Sequence, residues 1–309
     1  MQKPPPQDAT DTTARLMLVV LSIAWGVTWP FNRIALDGVP PFSMRFATTL
    51  LGALVVFAMA GVQRRSLRLP PGAAWLHVVI AGTLNIAGFT VFSALGQMGT
   101  TTSRVIILGY SMPIWACLMA RPILGERITR PRLLALILCA SGIAVLVSPL
   151  AGAGIPPGLL FALAAGVSWA AGTVYLKWAR INGDPVAIAG WQLAAALAVI
   201  AITVPVFEDG LHLWPLQGRT IMALAFSGMI GSGLCYYLWF AIVRRLPAST
   251  ASLGVLAGPV IGIAASALAL GERPTLSDYI GCALILTAAA CVLIVPPPRR
   301  PASVGTNVQ

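Results

Sequence analysis

The sequence predicts an all-α integral membrane protein, with ten transmembrane helices arranged as two inverted five-helix repeats. Of its 309 residues, 58% are hydrophobic and only 9% are charged, whereas a soluble domain carries about 25% charged residues. The mean hydropathy is +0.86, and apolar runs of about 20 residues recur, each long enough to cross the hydrocarbon core as a helix. A β-barrel would show short alternating segments instead. The third observation is a sequence pattern that occurs twice.

The repeated pattern begins with a proline and ends, twelve residues later, with Gly-Glu-Arg. Pro113 leads to Gly-Glu-Arg at 125–127, and Pro259 leads to Gly-Glu-Arg at 271–273, an offset of 146 residues. An offset held without a gap over about fifty residues indicates an internal duplication. The same offset relates further pairs: Gly82 and Gly228, Ser103 and Ser249, Thr129 and Thr275.

The apolar runs define ten predicted spans, five in each copy. In chain order they cover about 16–35, 41–61, 73–96, 101–121, 132–149, 157–178, 186–207, 219–242, 248–268 and 276–295. Because five is odd, two copies that are alike in sequence must enter the membrane in opposite directions. The duplication therefore predicts an inverted repeat about an axis in the membrane plane, an arrangement typical of transporters.

The basic residues test this count, because cytoplasmic loops of membrane proteins are enriched in them. Of the 20 lysines and arginines, Arg45 lies inside a span, fifteen face one side, and four face the other: Arg33, Arg104, Arg219 and Arg273. The richer side is the predicted cytoplasm, with both termini inside. We predict a disordered tail at 1–14, repeats at 15–149 and 150–296, and a tail at 297–309. The net charge of +11 reflects this bias and does not indicate nucleic-acid binding.

No pattern in the sequence indicates a metal, a cofactor or an enzyme. The histidines His77 and His212 lie near span ends, without an HExxH motif, a mid-membrane acid pair or a Ser-His arrangement. We therefore expect no cofactor, no metal site and no disulfide. Five cysteines lie inside apolar runs without a CxxC pair and are interpreted as small core residues: Cys117, Cys139, Cys235, Cys282 and Cys291.

Glycine and proline mark the places where the spans depart from a regular helix. Gly125 and Gly271 follow the predicted ends of spans four and nine, where a residue at positive φ commonly stops a helix. Pro113 and Pro259 fall mid-span, and each removes a backbone hydrogen bond and permits a kink. Kinks at matching positions of two halves are typical of a transport site. The alternative is that the helices bend at these prolines without any role in transport. Span nine also has small residues at four-residue spacing, for close packing or as a sliding surface: Gly254, Gly258 and Gly262.

Five stretches of the sequence carry a family resemblance. They are Ala24-Trp25-Gly26 in span one, Met44-Arg45-Phe46 in span two, the two Pro…Gly-Glu-Arg stretches, and Ser168-Trp169-Ala170 in span six. Over roughly 15–295, the chain resembles the EamA branch of the drug/metabolite transporter superfamily, whose members export many different metabolites. The resemblance implies a monomeric transporter in the inner membrane of a bacterium, which moves a small molecule by alternating access of its two halves.

Within this family, the chain is most similar to exporters of aromatic amino acids. Aromatic residues occur where those exporters also have them: Trp25, Tyr110, Trp169 and the pair Tyr236-Tyr237. The chain differs in having Met112 where an aromatic residue is expected, and in having Asn85 and Phe89 but no tyrosine in span three.

Polar and aromatic side chains deep in the spans form the candidate substrate site. Three- and four-residue spacing places Trp25, Asn32 and either Thr28 or Trp29 on one face of span one, and places Trp169 and Thr173 together on span six. Such a set could line an apolar pocket with a few hydrogen-bonding groups. The alternative is that the aromatic residues fill the core or form interface belts. The candidate substrate-binding residues are Trp25, Asn32, Asn85, Phe89, Tyr110, Met112, Trp169, Thr173, Gln192, Tyr236 and Tyr237.

The charged residues narrow the choice of substrate. All nine acidic residues lie in loops or at span ends, so no carboxylate is predicted mid-membrane to carry a proton or bind a cationic drug. Arg45, about one turn inside span two, could hold a substrate carboxylate, but we favour a structural role in which it snorkels to the interface or caps the preceding loop. We expect export of a neutral, large or aromatic amino acid. The alternatives are a nucleoside, a drug, a threonine- or homoserine-type amino acid, or a structural or regulatory membrane protein.

Overall fold

The computed structural model describes residues 7–125, 130–150, 154–243 and 257–294. Apart from one short 3₁₀ turn, their secondary structure consists of ten helical regions, three of which are interrupted or irregular. The regions are α1 (Gln7–Leu36), α2 (Pro41–Val62), α3 (Ala73–Gly82, Thr83–Gly88 and Phe89–Gly99), α4 (Thr102–Gly109 and Met112–Leu124), α5 (Arg130–Val147), α6 (Pro157–Ala179), α7 (Pro185–Phe207), α8 (Gly218–Ala225, Phe226–Leu234 and Cys235–Val243), α9 (Ala257–Leu270) and α10 (Leu276–Ile294).

The ten helical regions match the ten predicted spans. Eight of them, α1 to α8, are long and apolar enough to cross a membrane, and the described parts of α9 and α10 are shorter apolar helices. The all-α membrane fold with ten helices is thus confirmed. α1 begins at Gln7, inside the segment 1–14 that the sequence predicts as a disordered tail. The predicted beginning of span nine at 248 and the predicted tail at 297–309 lie outside the described residues.

The second helices of the two repeats, α2 and α7, run in opposite directions. Glu208 directly follows α7 and accepts hydrogen bonds at the beginning of α2, from the backbone N–H groups of Phe42 (2.6 Å) and Ser43 (2.7 Å) and from the Ser43 hydroxyl (2.7 Å). At the other membrane face, Arg65 after α2 pairs with Asp184 before α7, with 3.0 Å between Nη1 and Oδ2. Each helix therefore ends where the other begins, as an inverted repeat requires.

The fourth helices, α4 and α9, are antiparallel in the same way. Glu272 of the second Gly-Glu-Arg sequence follows α9, and its carboxylate accepts hydrogen bonds from the backbone N–H groups of Thr102 (2.7 Å) and Ser103 (3.0 Å) at the beginning of α4. Gly125 ends α4 at φ +68°, and Gly271 follows α9 at φ +66°. These angles confirm the prediction that both glycines stop a helix in the left-handed region. Glu126 and Arg127 lie outside the described residues.

α3 and α8 each contain a π-helical turn, in which the helix is wider than an α-helix by about one residue per turn. The turns are Thr83–Gly88 and Phe226–Leu234, and the offset of 146 places the first one inside the second. A π-turn disturbs the backbone hydrogen bonds and leaves carbonyls that need other donors. α1 and α6 supply two such donors: the Trp25 indole N–H donates to the Gly231 carbonyl (3.2 Å), and the Ser168 hydroxyl donates to the Leu84 carbonyl (2.6 Å).

Two close glycine contacts across the repeats are also related by the duplication. A Cβ atom on Gly231 of α8 would lie 2.5 Å from Cγ2 of Thr28 on α1, and a Cβ atom on Gly172 of α6 would lie 2.7 Å from Cβ of Asn85 on α3. Thr28 and Gly172 are 144 residues apart, and Asn85 and Gly231 are 146 apart. α1 therefore packs on α8 as α6 packs on α3, and each helix pair joins the two repeats.

Glycines of α9 permit a close approach to α1. A Cβ atom on Gly262 would lie 3.2 Å from the Trp29 ring, and one on Gly26 would lie 3.0 Å from the Gly258 carbonyl oxygen. The small residues of span nine thus serve close packing in this structure, which is one of the two roles considered for them. Gly254 lies outside the described residues.

α4 is interrupted at Tyr110 and Ser111, two residues before Pro113. The regular hydrogen bonds stop there: Ser111 donates to the Leu108 carbonyl three residues back (3.1 Å), and Ile114 donates to the Ser111 carbonyl (3.0 Å). Proline has no N–H group to donate and fits the first turn of a helix, so the second half of α4 starts anew at Met112. Pro259 is the third residue of the described part of α9, so the segment in which it would cause a kink lies outside the described residues.

Candidate functional site

A cavity lies between the two repeats and is lined by α1, α2, α3 and α4 of the first repeat and by α6 and α8 of the second. Its volume is about 70 Å³, well below the roughly 300 Å³ at the small end of ligand pockets. A large amino acid therefore needs a movement of side chains or helices before it fits. The lining residues are Trp25, Thr28, Trp29, Asn32, Arg45, Phe89, Thr90, Ser93, Tyr110, Trp169, Ser227, Gly231, Ser232 and Tyr236.

Aromatic rings form one part of the wall, with Trp25 and Trp169 at its centre. The centroids of these two rings are 6.4 Å apart and the rings are nearly perpendicular, at 80°. The ring centroids of Phe89 and Trp169 are 4.8 Å apart, and those of Tyr236 and Trp25 are 6.2 Å apart. The pairs of Trp25 with Trp169 and with Tyr236 are edge-to-face, an arrangement that is favourable for aromatic rings, and the Phe89–Trp169 pair is tilted at 54°. The Trp25 ring is held by its hydrogen bond to the π-turn of α8, so the wall is fixed by both repeats.

Polar side chains form the other part of the wall, around Arg45. The side chain of this arginine is buried, with 4% of its residue surface exposed. Its Nη1 donates to Asn32 Oδ1 and its Nη2 donates to Ser93 Oγ, and each of these hydrogen bonds is 3.3 Å long. Its Nε has no hydrogen-bond partner among the described residues, and the same is true of the buried hydroxyl of Ser227. This part of the wall has unused hydrogen-bonding capacity.

Six of the eleven predicted substrate-binding residues line this cavity: Trp25, Asn32, Phe89, Tyr110, Trp169 and Tyr236. On α1, the face predicted from spacing is present in full, because Thr28 and Trp29 line the cavity beside Trp25 and Asn32. The helix is regular here, so residues three and four apart share a face.

The other five predicted residues lie outside the cavity lining. Asn85 packs against Gly172, and Gln192 is buried with its backbone against Gly82, both between α3 and the second repeat. The Thr173 hydroxyl is exposed and donates to the Trp169 carbonyl one turn earlier (2.9 Å). The two remaining residues are Tyr237, whose hydroxyl accepts a hydrogen bond from the Gln63 amide beyond the end of α2, and Met112, which starts the second half of α4.

Sequence reasoning missed several small polar residues of the lining: Thr90, Ser93, Ser227 and Ser232. Isolated serines and threonines are common in apolar spans and often bond to their own helix, as Thr90 does to the Ile86 carbonyl (2.8 Å). The duplication could have drawn attention to α8, since its offset aligns the segment around Ser232 with the segment around Phe89 of α3.

The acidic residues whose side chains the structure describes lie at helix ends, away from the cavity. Asp37 faces Arg33 at 3.5 Å near the end of α1. Asp278 pairs with Arg104 at 2.8 Å. Asp184, Glu208 and Glu272 make the contacts between repeats already described. Within the described part of the chain, Arg45 is therefore the charged residue that lines the cavity.

A family model for the EamA-like transporter family matches the chain twice, over residues 12–148 and 156–294. The chain belongs to this family. It is a membrane transporter built from two EamA domains, not an enzyme, and the boundary between the domains falls between the two five-helix repeats.

Several curated relatives span nearly the whole chain. The uncharacterized transporter YvbV of Bacillus subtilis (strain 168) is 28% identical over 300 residues, covering 96% of each chain. A probable amino-acid metabolite efflux pump of Escherichia coli (strain K12) is 22% identical, covering 88% of this chain and 92% of its own length. A solved crystal structure aligns with a TM-score of 0.65 and 24% identity, covering 91% of this chain and 98% of its own, which supports the fold.

Proposed function

We propose that this EamA transporter exports neutral amino acids with large or aromatic side chains. The observation that carries the proposal is the composition of the cavity wall, which combines aromatic rings of both repeats with the hydrogen-bonded group of Arg45, Asn32 and Ser93. An aromatic or large apolar side chain fits the aromatic part of the wall, and the polar groups of an amino acid fit the polar part. The similarity to probable amino-acid metabolite efflux pumps supports an amino acid as the substrate.

Transport would proceed by alternating access of the two repeats. The contacts between α2 and α7 at both membrane faces support this mechanism, because opening toward one face needs only the contact at that face to separate. The interruption of α4 at Tyr110 and Ser111, followed by Pro113, is a point where the cavity wall can bend. Pro259 is the matching position of the other repeat. We further propose that the protein is a monomer in a bacterial inner membrane with both termini in the cytoplasm, as the basic residues favour.

Uptake of radiolabelled amino acids into proteoliposomes tests the function. Vesicles containing the purified protein and preloaded with unlabelled tryptophan should accumulate labelled tryptophan, phenylalanine and leucine above empty vesicles. Threonine, homoserine and uridine should accumulate poorly under the same conditions. Strong accumulation of one of these three, with none of tryptophan, would replace the proposed substrate by a smaller amino acid or a nucleoside.

A further inference from the structure

We infer that the cavity recognises its substrate by a carboxylate group, through Arg45 and Ser227, and therefore takes large apolar carboxylic acids with or without an amino group and excludes amines. This inference rests on the proposed function, since it concerns the same cavity, and it specifies the charge that a ligand must carry. The first argument is the burial of Arg45. An arginine side chain keeps its charge at physiological pH, and a buried charge is costly unless a counter-charge and hydrogen bonds compensate it.

The surroundings of Arg45 provide only part of that compensation. A guanidinium group has five N–H donors. The two hydrogen bonds that Arg45 donates to Asn32 and Ser93 are 3.3 Å long, and their acceptors are neutral oxygen atoms. No aspartate or glutamate belongs to the cavity lining among the described residues. The charge of Arg45 therefore lacks a counter-charge inside the described part of the protein, and an anionic ligand would supply one.

The identity of the unused donor indicates which anionic group would suit it. Nε of Arg45 is buried and without a partner among the described residues. The edge formed by Nε and one Nη is an edge at which arginine binds the two oxygens of a carboxylate in parallel. A carboxylate bound in the cavity that Arg45 lines would give this donor an acceptor, and bidentate arginine–carboxylate pairs are stronger than hydrogen bonds between neutral groups.

Ser227 provides a second and independent observation. It lies in the π-turn of α8, in the opposite repeat from Arg45, and lines the same cavity. Its residue surface is 1% exposed, and its hydroxyl has no partner among the described residues. A buried hydroxyl without a hydrogen bond is unfavourable, and a carboxylate held at Arg45 gives it an acceptor. One anion would then satisfy groups of both repeats.

The cavity has no comparable group for an amino group. A carboxylate side chain is the usual partner of an ammonium ion, and the described lining has none. The faces of Trp25 and Trp169 can tolerate an ammonium ion through cation–π attraction, so a zwitterionic amino acid remains acceptable. An amine without a carboxylate, in contrast, would bring a second positive charge beside Arg45. The expected order of affinity is carboxylic acid and amino acid first, amine last.

Binding of three ligands with one carbon skeleton tests this order on the full-length protein in nanodiscs. 3-Phenylpropionate carries only the carboxylate, phenylalanine carries both groups, and phenethylamine carries only the amine. Isothermal titration should show that the first two bind at least about tenfold more tightly than the amine, the scale of one charge-assisted hydrogen-bonded pair. Equal or tighter binding of phenethylamine would overturn the inference.

Substitutions then assign the effect to the named residues. Arg45→Gln should weaken 3-phenylpropionate binding by about tenfold or more, Arg45→Lys should restore part of it because the charge returns without the fork, and Ser227→Ala should weaken it by a few-fold. Arg68→Gln removes an exposed arginine after α2 and should leave binding unchanged. Unaltered 3-phenylpropionate binding in Arg45→Gln overturns the proposal. Should Arg45→Gln not fold, the proposal is judged by whether Arg45→Lys and Ser227→Ala bind 3-phenylpropionate more weakly than the wild type does. Unaltered binding in both variants overturns it.

A pair of ligands without an aromatic ring separates this inference from the proposed function. If neither phenylalanine nor 3-phenylpropionate binds, the aromatic substrate class is wrong. Hexanoate and hexylamine still measure the charge preference of the cavity in that case. Tighter binding of hexanoate, lost in Arg45→Gln, supports the carboxylate site, and tighter binding of hexylamine contradicts it.

Discussion

Glu272 binds Ser103 across the boundary between the two repeats: its carboxylate accepts hydrogen bonds from the Ser103 hydroxyl at 2.6 Å and from the Ser103 backbone N–H at 3.0 Å. The N-terminal turn of α4 has unpaired N–H groups and a partial positive charge, and a carboxylate there satisfies both. The acid of the repeated Gly-Glu-Arg sequence thus serves as a helix cap supplied by the other repeat. Its role in the described structure is structural.

Replacing this cap should lower stability measurably. Glu272→Ala removes the acceptor for two backbone N–H groups and a hydroxyl, and should lower the free energy of unfolding by about 0.5–2 kcal/mol, the range for helix caps. Glu272→Gln keeps a carbonyl acceptor and should have a smaller effect. Thermal unfolding in detergent, followed by circular dichroism, measures both. Asp37→Ala, an exposed acid facing Arg33, is the control and should change little. Equal melting temperatures for Glu272→Ala and Asp37→Ala would contradict the role of the cap.

Transport should depend on the close contact between Gly231 of α8 and Thr28 of α1. A Cβ atom at position 231 would lie 2.5 Å from Thr28 Cγ2 and 2.9 Å from its Oγ1, so Gly231→Ala should separate α1 from α8 and lower both the melting temperature and the transport rate. Thr28→Ala removes both of these atoms. The double variant should therefore regain a large part of what Gly231→Ala loses. Gly61→Ala, where no atom lies within 4 Å of the added Cβ, is the matched control.

Trp169 should matter more for transport than an aromatic residue outside the cavity. Its ring packs against Trp25, Phe89 and Tyr110 in the cavity wall, so Trp169→Ala should weaken substrate binding by roughly 1–3 kcal/mol, the scale of one buried aromatic contact. Proteoliposome uptake of labelled tryptophan measures the effect.

Three further variants set the scale for that measurement. Trp25→Ala and Tyr110→Phe should reduce uptake to a lesser degree than Trp169→Ala. Trp75→Ala, at a ring that is 40% exposed and packs on Trp191, should leave uptake nearly intact. Normal uptake by Trp169→Ala, or a loss of uptake that merely follows a loss of folded protein, would mean that Trp169 is a packing residue.

The orientation in the membrane can be read with reporter fusions. Because the basic residues favour cytoplasmic termini, alkaline phosphatase fused after Val295 should be inactive. A fusion near Gly154, between the two repeats, should be active. The inverse result would place both termini on the outer side of the membrane and would contradict the proposed orientation of the protein.

The helices could be predicted from the sequence because the membrane imposes a simple rule on them. An apolar stretch of about 20 residues has few alternatives in lipid, since a helix satisfies its own backbone hydrogen bonds. The duplication of five spans also predicts that the two repeats are inverted, and the antiparallel contacts of α2 with α7 confirm it. On α1, where the helix is regular, residue spacing also predicted the face of the cavity.

The rest of the site could not be predicted, because irregular turns change which residues face the cavity. Asn85 and Phe89 are four apart and would share a face of a regular helix. Asn85 lies inside the π-turn of α3, and the wider turn shifts the residues around it relative to α-helical spacing. Phe89 lines the cavity and Asn85 packs on Gly172.

Arg45 illustrates a second limit of the sequence. We expected it to snorkel or to cap a loop, and it is instead buried in the cavity wall. A side chain one turn inside a span can reach either the interface or the interior, and the choice depends on its rotamer and on the neighbouring helices. The polar neighbours that decide it, Asn32 and Ser93, come from α1 and α3 and are 13 and 48 residues away in sequence.

The π-turns of α3 and α8 also record the history of the chain. The two turns overlap at the offset of 146, so both copies depart from a regular helix at the same place. A single change made before the duplication accounts for both turns, whereas separate origins require the same change to have occurred twice. We therefore infer that the π-turn was already part of the unit that was duplicated.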